Sequence, residues 1–205
     1  GKNISLIGEN RETTIIDGEE ADVVVSFING EDNSSKLQGF TIMNGYSNDG
    51  YGGGGIKCFG SSPILENLII KDNYSYRGAG VGCSNGGSPI IRNTLITGNT
   101  STESGGGIFI SNGSSPTIVN VTITNNTSSS GILFLSASTA HLINVIVWGN
   151  LSPNSIRLWA NSEIEIRYSD INNINLSGND SSEEWDFGGN IFIDPLFNDS
   201  VNNDF

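Results

Sequence analysis

One twelve-residue phrase returns four times along the chain. It reads "SPILENLIIKDN" at 62–73, "SPIIRNTLITGN" at 88–99, "SPTIVNVTITNN" at 115–126 and "TAHLINVIVWGN" at 139–150. Its sixth position is Asn67, Asn93, Asn120 and Asn144, at intervals of 26, 27 and 24 residues, and its twelfth is Asn73, Asn99, Asn126 and Asn150. A third block follows the phrase each time: "GAGVGC" at 78–83, "SGGGIFI" at 104–110 and "SSSGILFL" at 128–135. An earlier copy, "GGGGIKC" at 52–58, closes a unit that begins near "KLQGFTIMNG", where Gly39 takes the first Asn position. "NISLIGE" and "TTIIDG" read as a still earlier unit with looser spacing. A self-similar period of this length marks a repeat architecture. Each unit holds three β-rich runs of about five residues, too short for helices, and tight hairpin signals between the runs are lacking. The pattern predicts an all-β fold, a single-chain parallel β-helix of three short strands per coil. About six to seven coils would stack with strands about 4.8 Å apart. The stack is expected over 1–171, with 172–205 as a capping segment of the same domain.

Apolar positions that recur in every unit set the register. Leu65, Ile91, Ile118 and Leu142 form one inward column, and Ile70, Ile96, Ile123 and Val147 another. In the third run the expected inward columns are Ile56, Val81, Ile108, Ile132, Ile156 and Cys58, Cys83, Ile110, Phe134, Leu158. The asparagines take the corners between strands, because Asn tolerates left-handed backbone. Stacked one per coil, their amides can donate to one neighbour and accept from the other, which satisfies polar groups turned inward. All eight are therefore read as structural, and Asn99 and Asn120 as too buried to carry a glycan. Cys58 and Cys83 are the only cysteines and fall in one inward column. Buried thiols are the preferred reading, with a disulfide or a metal site as alternatives.

The charge balance is acidic: 9 Lys and Arg against 22 Asp and Glu, a net −13. That argues against nucleic acid, whose backbone calls for a basic face. No run is long and apolar enough for a membrane-spanning helix. The first residues, "GKNISLIGEN", already read as a strand, so upstream sequence is expected.

Chemistry on a β-helix belongs to outward side chains and corner loops. Glycosidase chemistry needs two carboxylates facing one sugar, and no such motif stands out. His141 aligns with Thr117 and Ile90 on the outside and reads as incidental. Lyase chemistry needs a base and a means of neutralising a uronate carboxylate, such as Ca²⁺. Lys71, Arg92, Lys57 and Arg77 are the available cations, and Glu66 is expected to pair with Arg92. In "GNDSSEEWDFGGN" (178–190), Asp180, Glu183, Glu184 and Asp186 are weak candidates for Ca²⁺. Otherwise no cofactor is expected.

Apolar character on the outside grows toward the late coils. The outward columns of the third run are expected to be Lys57, Gly82, Phe109, Leu133, Arg157 and Phe59, Ser84, Ser111, Leu135, Trp159, and the second run adds Ile146 and Trp148. Exposed apolar patches mark interfaces or are covered. The preferred reading is that the segment 172–205, with Trp185, Phe187, Ile191, Phe192, Leu196 and Phe197, folds back over this face; the alternatives are a ligand platform of Trp159, Phe109, Trp148, Leu133 and Arg157, and a protein interface. That platform would suit a glycan.

The "S-P-x-I-x-N-x-x-I-x-x-N … G-G-G-I" units resemble right-handed parallel β-helix repeats of the pectate-lyase-like superfamily, over about residues 3–171. The hand of the helix is what this resemblance implies. "YSD" (168–170) and "GGNIFIDPLF" (188–197), followed by Asp204 and Phe205, resemble the closing segment of bacterial surface β-helix proteins of the choice-of-anchor type. That resemblance implies an extracellular or cell-surface protein with no common enzymatic activity. The expected function is a non-catalytic module for adhesion, display or glycan contact, partnered by a polysaccharide or by further domains of the same surface protein. The alternatives are a lyase acting on acidic polysaccharide and a structural spacer.

Overall fold

The computed structural model describes residues 3–130, 132–175 and 188–195. The described chain is all-β, and every strand pairing in it is parallel. The first and second runs of each unit join into one bent sheet. The third runs stack as a separate seven-stranded sheet, from Val25–Phe27 through Ile56–Phe59, Val81–Ser84, Ile108–Ser111, Leu133–Ser136 and Ile156–Trp159 to Ile174–Asn175. The coil ladder thus runs on beyond residue 171. Between the second and third runs a further short strand appears that the repeat did not announce. It is Tyr46–Ser47, Tyr74–Arg77 and Thr100–Ser104, continued by single bridges to Thr127 and Leu151.

The core lies between these sheets. Leu65, Ile91, Ile118 and Leu142 stack in register, as do Ile70, Ile96, Ile123 and Val147, and all are fully buried. Alternation does this work: successive side chains on a strand point to opposite faces, so one apolar residue per coil fills the interior.

The two Asn columns divide their labour. Asn67, Asn93, Asn120 and Asn144 all have φ between 51° and 55°, the left-handed region that Asn tolerates better than other side chains. In the later units this one residue bends a continuous strand, as Asn93 does within Ile90–Thr97. Its side chain points outward: Asn93, Asn120 and Asn144 are exposed, and their amides form a solvent-side chain of hydrogen bonds, 3.1 Å from Asn120 to Asn93 and 2.8 Å from Asn144 to Asn120. The expectation that Asn120 is buried is thereby corrected. The left-handed kink that turns the backbone also turns this side chain out.

The second column is the buried ladder. Asn73, Asn99 and Asn126 are essentially inaccessible. Nδ2 of Asn99 donates to Oδ1 of Asn126 at 2.9 Å and lies 2.9 Å from the Ile70 carbonyl. Oδ1 of Asn99 in turn accepts the backbone N–H and the side-chain amide of Asn73. The same pattern links Asn126 to Asn150.

The third run corrects the expected register at one coil. Leu133 pairs with Ile108 and Leu135 with Ile110, so both leucines are core residues and Phe134 faces out beside Phe109. Ile132 stands at the place held by Gly107 one coil earlier, where its carbonyl accepts the Ile108 N–H. Aligning Ile132 with Ile108 had shifted the run by one residue, which exchanges its two faces.

Cys58 and Cys83 are register partners on adjacent strands, fully buried and not bonded to each other. Burial pushes the Cys83 thiol up to about 12, and Cys58 is also raised by burial. Buried neutral thiols react slowly. In native protein Ellman's reagent should find neither thiol, and after denaturation without reductant it should titrate both. Truncating the buried ladder with Asn99→Ala strands the Asn73 N–H and the Ile70 carbonyl and should cost on the order of 3 kcal/mol by urea denaturation. Asn120→Ala, on the wet side, should cost about 1 kcal/mol or less.

Candidate functional site: an aromatic cleft on the third face

The outward columns of the third sheet read Lys57, Gly82, Phe109, Phe134, Arg157 and Phe59, Ser84, Ser111, Ser136, Trp159. Their character changes along the rod. At the early end the corner loop before Ile56 lies across the sheet. A Cβ at Gly82 would stand 2.4 Å from the Gly52 carbonyl carbon, so only glycine lets the loop sit there. Ser84 Oγ donates to the Tyr51 carbonyl, and Lys57 is ion-paired to Asp49.

Beyond that loop the face opens into a cleft of about 330 Å³. Its floor is Phe109 and Phe134, brought together by register and stacked with ring centres 5.8 Å apart and 19° between planes. Arg77 lies over Phe109, its Cζ 5.5 Å from the ring centre, and is held there by a two-point ion pair to Glu103. Arg157 closes the far side, 5.9 Å from the Phe134 ring centre and 5.6 Å from that of Trp159. Stacking of guanidinium on aromatic rings fixes both side chains without using their donors. Nη1 of Arg157 donates to Ser130 Oγ at 2.6 Å, while its buried Nε has no acceptor.

Of the five residues expected to form a platform, three line the cleft: Trp159, Phe109 and Arg157. Trp159 is 46% exposed. Phe109 is only 3% exposed, because Arg77 and the Gly52 loop cover it, so it supports the cleft rather than presenting a surface. Leu133 belongs to the core, for the register reason given above. Trp148 stands beside Thr124 on the second run and is not among the lining residues. Phe134, Arg77 and Glu103 complete the cleft. Phe134 was hidden by the one-residue shift and Glu103 by the unannounced strand Thr100–Ser104, whereas Arg77 is one of the cations singled out from the sequence.

The other surface candidates are engaged elsewhere. Glu66 sits between Lys36 and Arg92, each 3.0 Å away. His141 contacts Glu165 at 3.0 Å on the first face, beside Thr117. Lys71 is 3.4 Å from Asp72. Among the described residues Arg157 alone of the lysines and arginines has no carboxylate partner. The Ca²⁺ candidates Asp180, Glu183, Glu184 and Asp186 lie outside the described residues, as do Trp185, Phe187, Leu196 and Phe197.

Residues 188–195 stack at the end of the rod, and none of them lines the cleft. There the "YSD" and "GNI" segments meet. Tyr168 packs on Gly189, the Ser169 N–H donates to Asn190 Oδ1 at 2.9 Å, and Asp170 bridges Ile191. Asn190 Nδ2 also donates to the Ile166 carbonyl at 2.9 Å.

This stack of parallel coils is what the comparison with family models recognises: the model described as "right handed beta helix region" matches residues 92–203, more than half of the chain. The chain belongs to the right-handed β-helix family. The match spans the cleft's late residues, from Glu103 to Trp159, and the closing motif. No curated protein matches this β-helix chain, and no solved structure does either.

The Arg77 guanidinium holds the Glu103 carboxyl below its ordinary value. A carboxyl depressed in the folded state adds stability above its unfolded pKa of about 4.3, and loses it as pH falls through the lower folded value. Half-exposed pairs are screened, so the effect is modest. Melting curves from pH 7 to pH 3 should show Glu103→Gln less stable than the parent at neutral pH, with the two converging at the acid end.

Proposed function

We propose that this β-helix is a non-catalytic extracellular or cell-surface module that contacts glycans through the third-face cleft. The observation that carries the reading is the exposed Trp159 ring set beside the Arg157 guanidinium and the Phe134 floor. Aromatic faces bind the C–H faces of sugars by desolvation, and fixed polar groups beside them orient the hydroxyls. Among the described residues Glu103 is the one carboxylate lining the cleft, and it is committed to Arg77. Acid–base cleavage of a glycosidic bond needs a second, free carboxylate opposite the first. That favours contact over hydrolysis. The likeness of the closing motif to surface β-helix proteins supports the extracellular placement.

A glycan array followed by titration calorimetry tests the reading. Binding is expected, with Trp159→Ala weakening it at least about tenfold, the scale of a buried aromatic anchor. Incubation with the same polysaccharides, with and without Ca²⁺, should release no unsaturated products absorbing in the ultraviolet. Their appearance would replace the module by a lyase, and silence on the array would leave the spacer reading.

A further inference from the structure

We infer that the cleft selects acidic sugars, with Arg157 as the residue that reads the sugar carboxylate. The inference rests on the glycan reading and goes further by naming the ligand's charge. In a chain of net −13, a cation without a counter-ion is the exception. Every other described lysine or arginine lies within 4.0 Å of an acidic oxygen; Arg157 does not, and it lies in the cleft.

Its surroundings hold it ready. The guanidinium is clamped between Phe134 and Trp159 and tethered by one bond to Ser130, so little side-chain freedom remains to be lost on binding. Its Nε is buried away from the cleft, and Nη1 is the end tethered to Ser130, so what the cleft offers an incoming carboxylate is a held guanidinium whose charge no described carboxylate neutralises. The contrast with Arg77 is instructive. Both arginines stack on the phenylalanine floor, but Glu103 occupies the fork of Arg77 and nothing equivalent occupies Arg157. A sugar ring on Trp159 would bring a ring-borne carboxylate to this guanidinium. An acidic peptide offers the charge but not the flat apolar face that an exposed Trp159 favours.

The test compares a uronic-acid hexasaccharide, oligomannuronate, with the same hexasaccharide carboxyl-reduced to its neutral form, by calorimetry at low salt. The parent should bind the acidic form about 10- to 100-fold more tightly, the range of a charge-assisted hydrogen bond. Added salt should narrow the gap. Arg157→Gln should abolish the preference, bringing the affinities for the acidic and neutral forms together, and Arg157→Lys should restore part of the gap. A melting curve of each variant confirms that the fold is kept. Equal binding of the two forms by the parent overturns the inference and leaves the glycan reading in place. Binding of neither form overturns both. A preference that survives Arg157→Gln removes Arg157 from the role, and competition by poly-glutamate at equal strength removes the sugar.

Discussion

The fold depends on a hydrogen bond between identical side chains. The chain must turn sharply once per coil next to a dry interior, and a turn leaves backbone groups without strand partners. The line Asn73, Asn99, Asn126, Asn150 meets that need, since each amide serves a carbonyl of the coil before it and those of Asn73, Asn99 and Asn126 also serve the next asparagine. No member is satisfied alone, because each oxygen accepts from the coil before it and the amides of Asn73, Asn99 and Asn126 donate to the asparagine of the coil after. The ladder therefore ties the local problem of a turn to the global register of the stack. The apolar columns beside it then need only be apolar and about the right size.

Much of this architecture was legible because a stacked solenoid repeats one environment once per coil. A residue type that returns at the same slot, such as Asn99 or Ile96, reports that environment directly. Legibility failed where repetition was weak. The phrase "SSSGILFLS" offers two apolar residues, Ile132 and Leu133, for one inward slot, and only the neighbouring strand decides between them. The two Asn columns look alike in sequence, yet one faces water and the other the core. Backbone conformation separates them, and composition does not encode it. The short strands Tyr74–Arg77 and Thr100–Ser104 share no repeated apolar signature, so the cleft wall they supply went unseen. The exposed aromatic Trp159 and its neighbour Arg157 were visible, since single departures from a repeat stand out against it.

The outward surface of this β-helix varies over a structure whose inside is nearly invariant from coil to coil. On the first face the charges close on one another, with Glu66 shared by Lys36 and Arg92 and Glu165 shared by His141 and Arg167. On the third face the Gly52 loop covers the early coils, and the later ones are left open around Phe134 and Trp159. The difference between the faces is one of outward residues, since each rests on its own fully buried apolar columns.

The floor of the cleft is made of residues that are distant in the chain and adjacent in space, one from each successive coil: Phe109, Phe134, Arg157. Its length is consequently quantised. Copying one repeat would lengthen it by a single strand spacing, about 4.8 Å, without disturbing the packing underneath. Losing one would shorten it by the same step. A groove of this kind grows by tandem duplication as a ruler gains divisions, whereas a pocket walled by loops has to be reshaped all at once. Its length is written in the number of repeats.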